Sequence, residues 1–548
     1  MGGVILENLS NRKLIGLGVL LGLLLLTFFL VGGLVAPTPS NVSNVLGTIC
    51  KEKSRTKSAA WYKKTWYTPR GPGKCESANT LDELGPDVHN NQVVFAFMIP
   101  LPRDGHNLQM SSWFQHITSV LDINIEYQEG NEIKENAMVS LELKLGGRNK
   151  DTEPWTLIAA AEEIRTLDCS IEQSLKTHGQ QYNCSVLPLF ELGSCHYSFY
   201  LLNLRLPTFD YDEITEEHVE GKNTGIGKVV DIWTVFINQN GGFTKVWFSM
   251  KTLMFPTVLM VLCWFWRRIM MLERKPNLLE KALLCLGIAL TQLNLPIEWF
   301  TLWFDFPFML LLSDIRQGVF YSFLMCFWII FSGEHMMDQV ERSRLVQYWK
   351  HLSAVLFGCI CLFVFEMCER GVQLTNPFYS IWSTDAGSKL ALGFVVLAGI
   401  AACTYFIFLC YMIFKVFRNI GAKKNSLPQM SAIRRKYYMG LIYRFKFLML
   451  STLICAAMTV IFFIISQVSE SQWKWGEENS LEYTSAFLCG VYGMWNLYVI
   501  ALLVLYAPSH KYVSAADEDD SLDEQIEFTQ IASESSALAS FARKAAAD

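Results

Sequence analysis

Over most of this chain the apolar residues do not alternate with polar ones but fill long runs, of which the uncharged stretch Leu390–Phe414 is the clearest. At about 1.5 Å of rise per residue such a run covers a hydrocarbon core about 30 Å thick with some tilt, and it predicts a membrane helix. Predominantly apolar runs at Leu14–Ala36, Trp247–Trp266, Leu279–Trp303, Phe308–Ser332, Leu352–Cys368, Phe447–Val468 and Thr484–Ala507 predict seven more. Leu14–Ala36 is longer than the 7–15-residue core of a secretory signal, so a retained anchor is preferred over a cleaved leader.

Basic residues fix the orientation. Arg12 and Lys13 precede the first run, Arg267, Arg268, Arg274 and Lys275 follow the second, and Arg342, Arg344 and Lys350 follow the fourth. Lys415, Arg418, Lys423, Lys424, Arg434, Arg435 and Lys436 crowd the loop after Leu390–Phe414, whereas the intervening loops hold only Arg370, Lys389 and Lys474, and 304–307 holds none. Rich and poor loops alternate, which predicts both termini in the cytosol and the long segment after the anchor in the exocytic lumen.

Between Pro37 and Gly242 the pattern changes to short β-branched and aromatic runs separated by Gly, Pro, Asn and Asp. Strands are expected at Val93–Ile99, Ile117–Tyr127, Met138–Leu145, Trp155–Leu167, Tyr182–Leu189, Tyr197–Leu206 and Val229–Ile237, hence a lumenal all-β sandwich. The fold class is a polytopic α-helical membrane protein with eight spans. It divides into a cytosolic N-terminus (1–13), a first transmembrane helix (14–36), a lumenal β domain (37–242), a seven-helix bundle (243–507) and an acidic, disordered cytosolic tail (508–548). Asp517, Glu518, Asp519, Asp520, Asp523, Glu524 and Glu527 give the tail too little apolar area to fold.

Composition adds little to that picture: 51% hydrophobic residues suit a membrane protein, and a net charge of −5 with no basic face implies no nucleic-acid partner. Cysteines matter more. Cys50, Cys75, Cys169, Cys184 and Cys195 share the lumenal stretch, and proximity in sequence favours Cys50–Cys75 and Cys169–Cys184 as disulfides with one thiol left over. Asn41-Val42-Ser43 and Asn183-Cys184-Ser185 match the glycosylation triplet, but one lies close to the anchor and the other competes with a bridge.

No enzyme pattern emerges. Glu334-His335 followed by Asp338 lacks the second histidine of a zinc helix, no Gly-x-Ser-x-Gly or phosphate loop occurs, and no cofactor is expected. Glu298, Asp314, Arg316 and Glu366 are candidate intramembrane polar pairs, and structural pairing is preferred over ion or proton transport. Asp314 and Arg316, two apart, must find partners on other helices. Phe320, Tyr321, Leu324, Phe327 and Trp328 form an aromatic stripe that serves either helix packing or an acyl-chain cavity; Phe378, Tyr379 and Trp382 belong either to a structured lumenal loop, with a turn at Asn376-Pro377, or to the lumenal lip of that cavity. Tyr438-Met439-Gly440-Leu441, in a basic cytosolic loop, fits a Tyr-x-x-apolar endocytic signal carried by Tyr438 and Leu441, or simply a helix start anchored by tyrosines. His89, His106, His116, His178, His196 and His218 lie in the lumenal stretch and could charge in an acidifying compartment.

Several longer strings carry a family resemblance: Gly241-Gly242-Phe243-Thr244-Lys245-Val246-Trp247, Asp314-Ile315-Arg316-Gln317-Gly318, Gly333-Glu334-His335-Met336-Met337-Asp338-Gln339, the run Cys368–Trp382, and Tyr492-Gly493-Met494-Trp495-Asn496-Leu497-Tyr498. With them the chain closely resembles the Wntless (Evenness interrupted) family from Met1 to about Lys511. The resemblance implies a cargo receptor that binds palmitoleoylated Wnt proteins and carries them through endoplasmic reticulum and Golgi to the plasma membrane. It also implies a receptor-like bundle holding the acyl chain, and return by way of a clathrin adaptor, endosomes and retromer. The family's Tyr-Glu-Gly-Leu signal falls where this chain has Tyr438-Met439-Gly440-Leu441, with tyrosine and leucine kept. The end of the chain, Arg543-Lys544-Ala545-Ala546-Ala547-Asp548, differs from the retrieval sequence of some members, so that role does not carry over. A seven-helix signalling receptor is the alternative reading.

Overall fold

A computed structural model of the chain describes residues 4–52, 65–69, 74–84, 92–101, 108–172, 177, 179–211, 218–220, 222–272, 275–334, 345–383, 385–424, 432–474 and 484–509. Two antiparallel sheets face each other across an apolar core. The first has the order β1 (Ser40–Leu46), β14 (Lys228–Gln239), β5 (Ile117–Glu126) and β10 (Leu187–Leu192). The second runs β3 (Ser77–Ala78), β2 (Thr48–Lys51), β4 (Val93–Ile99), β11 (Phe199–Arg205), β6 (Met138–Arg148) and β7 (Thr156–Thr166). Small two-stranded pairs, β8 (Cys169–Ser170) with β9 (Asn183–Cys184) and β12 (Phe209–Tyr211) with β13 (His218–Glu220), complete the domain.

Alternation explains which side chains meet. Ile117, Leu121, Ile123 and Ile125 of β5 point inward to Leu141, Leu143 and Leu145 of β6 and to Phe97 of β4, all in one buried cluster. β4 is buried along its whole length because it lies inside its sheet and carries aromatic and aliphatic side chains on both faces. Strands β1, β2, β3, β8, β12 and β13 fall outside every run the sequence pattern predicts, and one expected strand divides. Ser40–Leu46 is rich in Ser and Asn, and it becomes a strand by pairing residue for residue along the edge of β14, from Ser40 against Gln239 to Leu46 against Trp233. The expected strand Tyr182–Leu189 divides, its first part pairing with β8 and its second joining β5 with a bulge between Pro188 and Phe190.

Cys50 is bonded to Cys75 and Cys169 to Cys184, at sequence separations of 25 and 15, and Cys195 is free and buried. By loop closure each bridge contributes on the order of 3 kcal/mol against the unfolded chain. Asn41 sits within β1, where its Oδ1 accepts a hydrogen bond from Asn240 Nδ2 at 3.1 Å, and Asn183 sits beside the second bridge.

Among the described residues eight helices are long and apolar enough to cross a membrane. They are α1 (Asn11–Leu30, continued by a π turn to Val35), α2 (Gly241–Met270), α3 (Leu278–Asn294, continued by the 3-10 turn Ile297–Leu302), α4 (Met309–Glu334), α5 (Trp349–Gln373), α6 (Asp385–Lys424), α7 (Ala432–Lys474) and α8 (Thr484–Leu505). The innermost is α8, where Val491, Trp495, Val499 and Leu502 are buried. Close approach of α1 to α8 comes from Gly490 and Gly493, whose missing Cβ atoms leave room for the rings of Phe29 and Phe28. By contrast α5 has no buried side chain at all.

The β domain is joined stiffly to the helices. β14 ends at Gln239 and α2 begins two residues later, with Asn240 Oδ1 capping the helix by accepting from Gly242 N at 2.9 Å. A Cβ at Gly242 would sit 2.8 Å from Pro37, so glycine is needed where the exit of α1 passes this junction. Ser485 Oγ, at the start of α8, donates to Pro37 O at 2.6 Å.

Candidate functional site

Two polar assemblies join the helices to one another and to the β domain. The inner one is centred on Glu298, in the 3-10 turn that follows the break at Leu295-Pro296. Lys251 of α2 donates to its Oε1 at 2.6 Å, Arg316 of α4 pairs with the same oxygen, and Arg316 Nη1 also donates to Leu295 O at 2.9 Å. All three side chains are buried, while Glu298 Oε2 and Arg316 Nε find no hydrogen-bond partner among the described residues. A second network adjoins it: Asn294 Nδ2 donates to Asn496 Oδ1 at 2.6 Å and Tyr492 Oη donates to Asn294 Oδ1 at 2.7 Å. Charges in an apolar bundle are retained only when paired in this way.

The outer assembly is where α4, α5 and the β domain meet. Arg370, near the end of α5, lies 2.5 Å from Glu191 of β10, 2.9 Å from Asp314 of α4 and 3.5 Å from Glu366 of its own helix. Asp314 and Arg316 thus reach different partners, as their spacing requires. Sequence reasoning named Glu298 and Arg316, which pair with each other, but missed the partners Lys251, Glu191 and Arg370. Lys251 is one lysine within an apolar run, the kind of signal that could have found it, whereas nothing in the order of residues couples Glu191 to Arg370.

The loop after α5 is clamped beside it. Arg165, buried on β7, donates from Nη2 to Phe378 O at 2.6 Å and from Nε to Pro188 O at 2.8 Å, with Glu163 3.0 Å from its Nη1. Asn376 Nδ2 donates to Glu163 at 3.0 Å, and Glu191 N donates to Pro377 O at 2.9 Å. Ser194 Oγ donates to Asp305 Oδ1 at 2.6 Å, tying the β10–β11 connection to the loop before α4. Between these contacts lies a cavity of about 210 Å³, with Glu191, His196, Asp305 and Arg370 among its polar lining and Leu310, Leu311, Leu374 and Pro377 among its apolar lining. Nearby, burial drives the His116 pKa below the ordinary histidine value, with Glu191 opposing that shift and Arg370 adding to it. Burial pushes the Cys195 thiol up, reinforced by Asp305.

The aromatic stripe packs rather than lining this cavity. Phe320, Leu324, Phe327 and Trp328 are buried in the bundle core. Phe320 and Tyr321 both meet Trp495, Phe327 stacks on Phe331, and Trp328 Nε1 donates to Tyr498 Oη at 3.2 Å. These contacts favour the packing alternative. Phe378 is not a lip residue either: it enters the core of the β domain edge-on to Phe190, centroids 6.1 Å apart, because burial of its ring there removes apolar area from water. Tyr379 is half-buried and its carbonyl accepts from Gln373 Nε2 at 3.2 Å. Trp382, Tyr438 and Leu441 belong to helical segments, but their side chains lie outside the described residues, as do His89, His106, His178 and the tail from residue 510. Among the described residues no group of three or more His, Cys, Asp or Glu could hold a metal ion.

Comparison with known proteins divides the chain at the same place as the fold does. Residues 48–239 match the family described as Wntless, GOLD domain, and residues 240–510 match Wntless-like, transmembrane domain. The chain is 50% identical over 515 residues to the Protein wntless homolog of Rattus norvegicus, covering 93% of this chain and 92% of the relative. It is 49% identical over 515 residues to the Protein wntless homolog of Homo sapiens, with the same coverage, and 47% identical over 576 residues to Protein wntless of Drosophila persimilis, covering both in full. A β-sandwich GOLD domain followed by a helical bundle, with matches over nearly the whole length, makes the chain a member of the Wntless family.

Proposed function

We propose that this protein is a sorting receptor that takes lipid-modified Wnt proteins from the endoplasmic reticulum and Golgi to the cell surface. It binds its cargo and performs no reaction on it. In this reading the β domain faces the exocytic lumen, both termini are cytosolic, and the receptor returns by adaptor-mediated endocytosis and retromer. The observation that carries the reading is the clamped junction, where β7, β10 and the loop after α5 border a cavity that reaches toward the bundle. A protein cargo would rest on the β domain and pass its acyl chain between the helices.

At about 210 Å³ the cavity is smaller than the roughly 300 Å³ at which ligand pockets begin, so it must widen to admit an acyl chain. Displacing α5 uncovers no fully buried side chain, but it breaks the Arg370 pairs with Glu191 and Asp314. Sheltering a 16-carbon chain at about 0.8 kcal/mol per CH₂ supplies on the order of 10 kcal/mol before ordering losses, enough to dominate recognition. The test is co-purification of the receptor with wild-type Wnt and with Wnt whose acylated serine is replaced. Capture should fall at least about 100-fold without the lipid; equal capture of the two would end the proposal.

A further inference from the structure

The most unusual packing at the end of the bundle away from the β domain involves the first residues of the chain. Leu6 is fully buried in the bundle core, and Val4, Ile5 and Leu9 pack against the same cluster. Ile5 N donates to Ala507 O at 2.9 Å and Val4 bridges Pro508, whose carbonyl also accepts from Arg268 Nη1 at 2.8 Å. The segment is therefore seated by backbone and side chain together, across the ends of α2, α7 and α8.

Its contact with α7 falls next to the Tyr438–Leu441 peptide. Arg444, one turn beyond, donates from Nη1 to Leu6 O at 3.3 Å and from Nε to Asn11 Oδ1 at 3.4 Å. Inside the peptide, Met439 packs on the bundle core, and a Cβ at Gly440 would lie 3.7 Å from Asn11 Oδ1. The backbone of the peptide is helical, because Ala432–Lys474 is a single helix. That conformation suits membrane packing and opposes recognition as an added strand. Three helical steps advance the chain about 4.5 Å and commit its N–H and C=O groups, whereas an extended partner peptide advances about 10 Å and offers those groups freely.

We propose that the N-terminal segment Val4–Asn11, seated by Leu6 and held to Arg444, keeps the Tyr438–Leu441 peptide helical and so withholds it from an endocytic adaptor until the segment is released. The inference rests on the reading of that peptide as the uptake signal. Release of a segment this short needs only a competing partner for Leu6 or for Arg444, so uptake becomes conditional rather than constant. Adaptor binding scales with the fraction of receptor in the released state.

The experiment follows uptake of surface-labelled, full-length receptor in cells. Leu6→Ala combined with Asn11→Ala should speed uptake by roughly five-fold or more, by enlarging the released fraction. Adding Tyr438→Ala to that pair should return uptake to background. Because Leu6→Ala removes core packing, a second arm leaves Leu6 in place: Asn11→Cys with Gly440→Cys, joined by a membrane-permeable bis-maleimide, should slow uptake relative to either single cysteine. Unchanged uptake in both arms, with Tyr438→Ala still abolishing uptake, overturns the withholding proposal while sparing the signal. Normal uptake in Tyr438→Ala/Leu441→Ala in either background overturns the signal itself, and the proposal with it.

Discussion

Glu298 offers the sharpest test of how the bundle is held together. Its Oε1 serves Lys251 of α2 and Arg316 of α4 at once, and all three side chains are nearly inaccessible, at 6%, 3% and 3% exposure respectively. Glu298→Gln keeps the volume and removes the charge. Two cations then share an apolar interior without the carboxylate that joined them, and breaking a buried pair of this kind costs about 3–5 kcal/mol. Lys251→Met is the informative contrast. It removes one cation, leaves Glu298 paired with Arg316, which also donates to Leu295 O, and puts an apolar side chain in an apolar place, so its effect should stay below about 1–2 kcal/mol in either direction. Chemical unfolding of the purified receptor in detergent, followed by tryptophan fluorescence, reads both; Trp247, whose ring lies 5.7 Å from Lys251 Nζ, reports locally. If Lys251→Met were as damaging as Glu298→Gln, or if Glu298→Gln were within about 1 kcal/mol of the parent, the bridge would not be holding α2 and α4 together.

Two further outcomes concern the junction. Phe378→Ala should cost the β domain about 3–5 kcal/mol and free the loop after α5, seen as faster amide exchange at residues 374–383 and at β10, because the ring is wholly buried against Phe190. The same exchange unchanged from the parent would mean that the hydrogen bonds of Arg165, Asn376 and Glu191 hold the loop without the ring. The folded pKa of His116 lies below its ordinary value, so the folded state prefers the neutral ring. Its stabilising share is complete above about pH 6.5 and is lost as the pH falls through 6.5 toward the lower folded value. Melting temperatures measured from pH 7.5 to 5.5 should therefore drop less in His116→Gln than in the parent, and parallel curves would exclude the residue as a source of acid sensitivity.

How much of this was legible in the order of residues depends on the range of the interaction involved. The eight spans follow from runs of apolar side chains, since backbone groups in hydrocarbon must be satisfied within the helix itself. Most sandwich strands follow from local alternation, and β4 occupies the expected run Val93–Ile99. β1 does not follow, because Ser40–Leu46 is polar and becomes a strand only when β14 supplies its partners. In the site, Glu298, Asp314, Arg316 and Glu366 were visible as charges in apolar surroundings, yet Lys251, Glu191 and Arg370 acquire their roles only from contacts across 47 residues in one case and 179 in another.

The sequence by itself determined that the chain crosses a membrane, that a β domain sits between the first helix and the rest, and which charges need partners. These are properties of short stretches and their solvents. Tertiary structure alone decided that Phe378 belongs to the sandwich core instead of a cavity rim, that the aromatic stripe is packing, and that Leu6 seats the chain's beginning against α7 and α8. Burial of a side chain is settled by what surrounds it in three dimensions, and an apolar residue carries no mark of which of several apolar neighbours it will meet.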